Sequence, residues 1–209
     1  MADAADLWIA LFPLNTVLFP EGVLPLRVFE TRYIDMVRAC MKANAPFGVV
    51  AIQSGAEIGE VATPYSVGTI AHITEWDMPE LGVLLIETRG GERFRIIETR
   101  LLPSQRLEAR VELIPVEPKV EGGNTLKVCA EVLNVVIRDI ERRAKEDQEA
   151  QFIAPFSEPY ALDNPAWVAN RWCEILPIPL EEKQRLLELQ DVSLRLQTIE
   201  DFLHEHKVI

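Results

Sequence analysis

Leu11-Phe-Pro-Leu-Asn-Thr-Val-Leu-Phe-Pro-Glu-Gly-Val-Leu-Pro-Leu-Arg-Val-Phe-Glu-Thr-Arg-Tyr33 is the stretch whose reading decides the fold. At its end a helix begins. Phe29, Tyr33, Met36, Val37, Cys40 and Met41 recur at helical spacing, so one stripe of the helix is apolar. Glu30 falls in the first turn of that reading, where a negative charge suits the helix dipole.

Downstream the texture is that of strands. Leu107, Ala109, Val111 and Leu113 alternate with Glu108, Arg110 and Glu112, the period-2 pattern of a strand with one buried and one wet face. Similar β-prone runs lie at 47–52, 67–76, 82–88 and 92–99. Residues 77–81 between two of them read as a hairpin loop, and Gly90-Gly91 as a second turn.

Past Pro115 and Pro118 the pattern becomes helical. Leu126, Leu133, Val136, Ile137 and Ile140 form one stripe, and the charged run 141–149 reads as a solvated face. Asn164-Pro165 is an N-cap followed by a first-turn proline. Val168, Trp172 and Ile175 follow on one face until Pro177 ends that helix. Pro179 opens a helix over 180–190, and Asp191 caps a last one carrying Val192, Leu196, Ile199 and Leu203. Strands followed by helices predict an α+β chain, with a β-rich subdomain over 1–118 and a helical one over 119–209.

Composition narrows the function. With 48% hydrophobic and 26% charged residues the chain has material for a real core. A net charge of −12 argues against nucleic acid, whose phosphates demand Lys and Arg, and against anionic membranes. No run reaches the length of a membrane helix, and the start lacks a signal peptide's positive region. Cys40, Cys129 and Cys173 are far apart and form no CxxC pair, which suits buried thiols in a reducing cytoplasm. His72 stands alone, and His204 and His206 do not share a helical face, so no metal site or cofactor is expected.

The opening stretch also resembles a known family. Pro13-Leu14, Leu18-Phe19-Pro20, Pro25-Leu26 and Phe29-Glu30-Thr31-Arg32-Tyr33 match, in order and spacing, the start of the N-terminal substrate-recognition domain of Lon-type ATP-dependent proteases. Phe47-Gly48-Val49-Val50, Val67-Gly68-Thr69 and Gly91-Glu92-Arg93-Phe94-Arg95-Ile96 resemble later blocks, and Glu182 to Glu188 with Arg195-Leu196 resembles the family's closing helices. The resemblance implies a PUA-like β pseudo-barrel with one embedded helix, then a C-terminal α-helical bundle. It also implies contact with polypeptide substrates, support of assembly, and no chemistry. No GxxxxGK[ST] phosphate loop occurs, and none of the serines sits in a nucleophile motif. The expected protein is therefore a cytoplasmic, non-catalytic module without motor or protease, acting in protein quality control on unfolded or partner polypeptide, with homo-oligomers allowed.

Two segments carry more apolar residues than a loop needs: Trp76, Met78 and Leu81 at the hairpin, and Phe152, Ile153, Phe156 and Tyr160 in a stretch without clear period. Exposed clusters of this kind mark interaction surfaces, so these are the candidate polypeptide-binding residues; the alternative is that they fold back onto the core. The family-motif residues Pro20, Phe29, Glu30, Arg32, Tyr33, Gly68, Arg93 and Phe94 are expected to be structural. In that reading Phe29 and Tyr33 pack into the β half, and Glu30 pairs with Arg93 or Arg32. The competing readings are a hydrolase with a site gathered from distant positions, a small ligand in the cleft between the halves, and RNA binding suggested by the implied fold alone.

Overall fold

The computed structural model describes residues 7–59, 61–118, 120–146 and 156–209. Six strands come first, with a helix among them: β1 (Leu7–Leu14), β2 (Val23–Val28), α1 (Thr31–Ala43), β3 (Phe47–Ser54), β4 (Thr63–Glu80), β5 (Val83–Leu101) and β6 (Leu107–Leu113). Four helices follow: α2 (Gly123–Glu146), α3 (Pro165–Ile175), α4 (Leu180–Glu188) and α5 (Val192–Glu205). This is an α+β chain.

The sheet order is β2-β5-β4-β3-β1-β6, and β5 also pairs with β6. The hydrogen-bonded path β5-β4-β3-β1-β6 therefore returns to its start. β1 and β3 run parallel, joined through β2 and α1, and the other pairs are antiparallel. Ile9, Leu11, Val50, Ile70, Phe94, Ala109 and Val111 fill one core of these strands. The Phe94 ring needs room there, and a Cβ at Gly48 or Gly68 would collide with it. That is why the Gly68 and Phe94 motifs belong together although they lie on different strands.

A second core joins α1 to the sheet. Tyr33, Ile34, Met36, Val37 and Cys40 pack on Phe12, Phe47, Leu84 and Ile86, and Tyr33 stacks on Phe12 with centroids 4.3 Å apart. The helix starts later than periodicity predicts. Glu30 is the N-cap in extended backbone rather than a first-turn residue, and Phe29 lies before it. Phe29 is 51% exposed, which corrects the expectation that it packs into the β half. Helical spacing brings two side chains together only when both lie inside the helix.

The third core is the largest and belongs to both halves. Leu133, Ile137, Trp167, Val168, Trp172, Leu187, Leu196 and Ile199 of the helices meet Val17, Phe19, Ala51 and Val67 of the β-rich part. Asn164 caps α3 by accepting from the Ala166 and Trp167 amides, and Asp191 caps α5 by accepting from Leu194.

Two turn expectations change. Gly90-Gly91 is not a turn but the middle of β5. A Cβ at Gly90 would strike the Phe19 carbonyl, and the Glu21 amide donates to the Gly90 carbonyl at 2.8 Å. The glycine serves a close backbone approach. The expected loop at 77–81 shrinks to a tight turn at Leu81-Gly82, because β4 continues to Glu80; Gly82 supplies the φ of +87°.

Candidate functional site

Two places in the fold concentrate chemistry: the seam between sheet and helices, and the far end of the β4–β5 hairpin.

At the seam, β5 aims Arg93 at the helices. Its guanidinium donates to the Leu187 carbonyl at 2.6 Å and pairs with Glu117 at 2.8 Å. Arg195 of α5 pairs with the same Glu117 carboxylate and donates to Asn170 Oδ1 at 2.6 Å. One carboxylate thus holds two buried cations from opposite halves. Arg171 of α3 donates to the Pro20 carbonyl at 2.8 Å and to Glu174 at 2.7 Å. Burial pushes the Glu174 carboxyl up to about 8, against the pull of the Arg171 guanidinium. Arg93 and the Pro20 carbonyl are thus both tied into this buried network. Arg93 is not the partner of Glu30, because its strand position faces it toward α4 and α5. Glu30 pairs with Arg32 at 3.0 Å, and Arg32 also donates to the Gln105 carbonyl at 3.1 Å.

A cleft of about 730 Å³ opens beside this seam, lined among others by Pro20, Glu21, Arg93, Glu117, Asp163 and Trp167. Glu174, whose titration burial has raised, does not line it. A perturbed carboxyl facing such a space would favour a hydrolase, whereas the Glu174 carboxyl is tied to the Arg171 guanidinium inside the protein. Among the described residues no group of three or more His, Cys, Asp or Glu is gathered as metal ligands would be. No helix among them is long and apolar enough to cross a membrane.

The hairpin end is the opposite case. Trp76 is 59% exposed, Met78 36% and Leu81 98%. β4 and β5 pair out to Glu80 and Val83, so the tip is held in place by backbone hydrogen bonds. On β5, Leu84 and Ile86 turn inward to the α1 core, and β2 covers the outer edge of β5 over Val23–Val28. The tip side chains extend past that core. Arg27 and Glu80 form an exposed pair at 3.1 Å beside them.

The other expected contact segment behaves differently. Phe156 is buried, packs edge-on against Tyr160 at 6.3 Å, and Tyr160 leans on Trp167 at 6.1 Å. Tyr160 donates its hydroxyl to Glu141 at 2.5 Å. Phe156 belongs to the helical core, which corrects its reading as a contact residue of the surface, and Tyr160 packs half-buried against that core. Phe152 and Ile153 lie outside the described residues. Sequence reading missed the buried ion network altogether. Glu117 sits in an irregular stretch between two prolines, with no pattern to distinguish it.

Comparison with known proteins agrees with this architecture. A family model described as the ATP-dependent protease La (LON) substrate-binding domain matches residues 8–205. The chain is 28% identical over 197 residues to Lon protease 2 of Myxococcus xanthus, covering 93% of this chain and 23% of that protein. It is 26% identical over 197 residues to the Lon protease of Anaeromyxobacter dehalogenans, covering 93% and 22%. The chain therefore spans less than a quarter of these relatives. A Lon N-terminal domain protein from Xanthomonas campestris superimposes with a TM-score of 0.72 at 29% identity, over 92% of this chain and 96% of that one. The N-terminal domain of a Mycobacterium avium complex Lon protease gives 0.67 over 96% and 100%, and at 19% identity it shows the fold alone.

Proposed function

The chain belongs to the ATP-dependent protease La (LON) substrate-binding domain family, and from that membership we propose that it is a non-catalytic module which holds exposed stretches of polypeptide. The observation that carries the reading is the solvent-facing Trp76, Met78 and Leu81 at the end of a paired hairpin. Large apolar side chains in water gain free energy when a partner covers them, at roughly 25 cal/mol per Å² removed from water. An aromatic side chain on a paired hairpin offers that area with little ordering cost, and Met offers it with adaptable packing. The client is an unfolded or partly folded chain, and the cellular role is protein quality control in the cytoplasm. The β half is a PUA-like pseudo-barrel in this reading, supported by the returning path of strand pairings. The division near residue 118 marks a change of secondary structure, and the shared core makes the two parts act as one body.

The test is capture of a permanently unfolded polypeptide by the native protein and by the Trp76→Ser/Met78→Ser variant. Binding by the native form with a loss of tenfold or more in the variant supports the reading. Equal binding by both removes the tip.

A second reading places a small molecule in the seam cleft, whose roughly 730 Å³ lies within the usual range for such sites. Arg93, Asn170 and Glu117 are already engaged with protein partners, and the remaining charged residues of the lining, Glu21, Glu92 and Asp163, are all acidic, so this reading ranks second. Thermal-shift screening of metabolites, with no shift beyond the noise, would dismiss it.

A further inference from the structure

β4 is longer than its neighbour. β3 pairs with it only as far as Phe47↔Ala71, whereas β5 accompanies it from there to Glu80↔Val83. From His72 onward one edge of β4 has no strand partner among the described residues. An open edge carries backbone donors and acceptors in a fixed row, the template to which an extended chain adds itself as a further strand.

Space lies beside that edge. A groove of about 250 Å³ runs between it and the end of α1, lined by Met41, Asn44, Pro46, Ile73 and Trp76 among others. A second, of about 420 Å³, is lined by Leu7, Ile9, Ala39, Ile70 and Leu113 among others. Both include Cys40, Ala45, Pro46 and His72, so they adjoin one another near the start of β3.

The charge around this path has one sign. Neither groove is lined by Lys or Arg, and Glu92 lines the second. Glu75, Asp77 and Glu80 are exposed along β4 itself; among the described residues Glu80 pairs with Arg27, and Asp77 accepts from the Met78 amide. Acidic side chains and a proline such as Pro79 are devices that protect an edge from indiscriminate pairing. They repel most strands and admit one whose charges are opposite.

We propose that the edge of β4 from His72 to Met78 takes an extended polypeptide segment as an added strand, and that the segment it selects alternates apolar with basic side chains. The apolar side chains enter the grooves and the basic ones meet Glu75, Asp77 and Glu92. This rests on the polypeptide-binding reading above and adds to it a mode of binding and a sequence preference.

The test uses the intact protein and fluorescence anisotropy of labelled nonapeptides alternating Val and Lys. Three companions are compared: the same peptide with Glu for Lys, and two with backbone nitrogens methylated at every Val or at every Lys. Expected are binding of the Val/Lys peptide and at least tenfold weaker binding of the Val/Glu peptide. One methylated version should weaken at least tenfold and the other little, because an added strand turns alternate amides toward the protein. Glu75→Gln/Asp77→Asn should reduce the Lys-over-Glu preference several-fold. Methylated versions that bind alike overturn strand addition, and equal binding of Val/Lys and Val/Glu overturns the charge selection. A long unfolded polypeptide measured in parallel separates the two levels. If it binds and the nonapeptides do not, the edge site falls and the polypeptide-binding reading stands; if neither binds, both fall.

Discussion

At the seam Arg93, Arg171 and Arg195 lie buried among carboxylates and carbonyls, while on the β4–β5 hairpin Trp76, Met78 and Leu81 stand in solvent. One region buries what water would welcome, and the other exposes what water rejects. The seam resolves much of its conflict internally, because the Glu117 carboxylate serves two guanidiniums and the carbonyls of Leu187, Leu189 and Pro20 take up further donors, while Arg171 Nε and Nη1 and Arg195 Nε stay buried without a hydrogen bond among the described residues. Such networks fix how two parts meet more than they stabilise the whole. The hairpin leaves its conflict open, which is consistent with a surface that waits for a partner.

The contrast can be broken first at Glu117. Glu117→Ala strands Arg93 and Arg195 together without a counter-charge, and we expect a loss of about 3–5 kcal/mol. For a chain of this size that corresponds to roughly 10 °C in melting temperature by calorimetry. A drop of less than about 2 °C would mean that the shared apolar core alone sets how the halves meet.

Glu174 sharpens the same side. Its carboxyl titrates near about 8 when folded and near the ordinary carboxylate value when unfolded, so the folded state binds more protons between those limits. Stability contributed by this group is fully present below the unfolded value and is lost as pH rises toward about 8. Urea titrations across that window should show a decline approaching about 1.4 kcal/mol per pH unit from this proton. Glu174→Gln should flatten the slope. An unchanged slope in the variant would place the linkage elsewhere.

Between the two regions lies the Glu30–Arg32 pair at the start of α1, less buried than the seam. Glu30→Ala should cost about 1 kcal/mol, seen as a fall of roughly 2–4 °C in melting temperature. A loss as large as that of Glu117→Ala would show that this pair belongs with the seam after all. The smallest effect is expected at the tip: Trp76→Ser/Met78→Ser should stay within about 0.5 kcal/mol of the native protein. A larger loss would mean that the side chains pack rather than wait.

What could be read from the sequence was what repeats locally. The strand of Leu107–Leu113, the stripe of Leu133 and Ile137, and the caps Asn164 and Asp191 each carry their signal within a few residues. The exposed tip was legible too, since Trp76, Met78 and Leu81 sit in and beside a short hairpin loop. β1 and β2 were not read as strands, because Leu11-Phe-Pro-Leu and Val23-Leu-Pro-Leu run apolar without alternation. Phe156 and Tyr160 lacked a period, so nothing local told a buried segment from an exposed one. The Glu117 network joins residues far apart in the chain, and only the folded arrangement makes them neighbours.

β5 runs without a break from Val83, next to the tip, past Arg93 to Leu101. Between Val83 and Arg93 an extended strand spans at most about 33 Å, so the turn at Leu81-Gly82 stands apart from Arg93. One continuous strand thus ties the exposed tip to the buried ion network, so a pull on the first is borne by backbone that also carries the second.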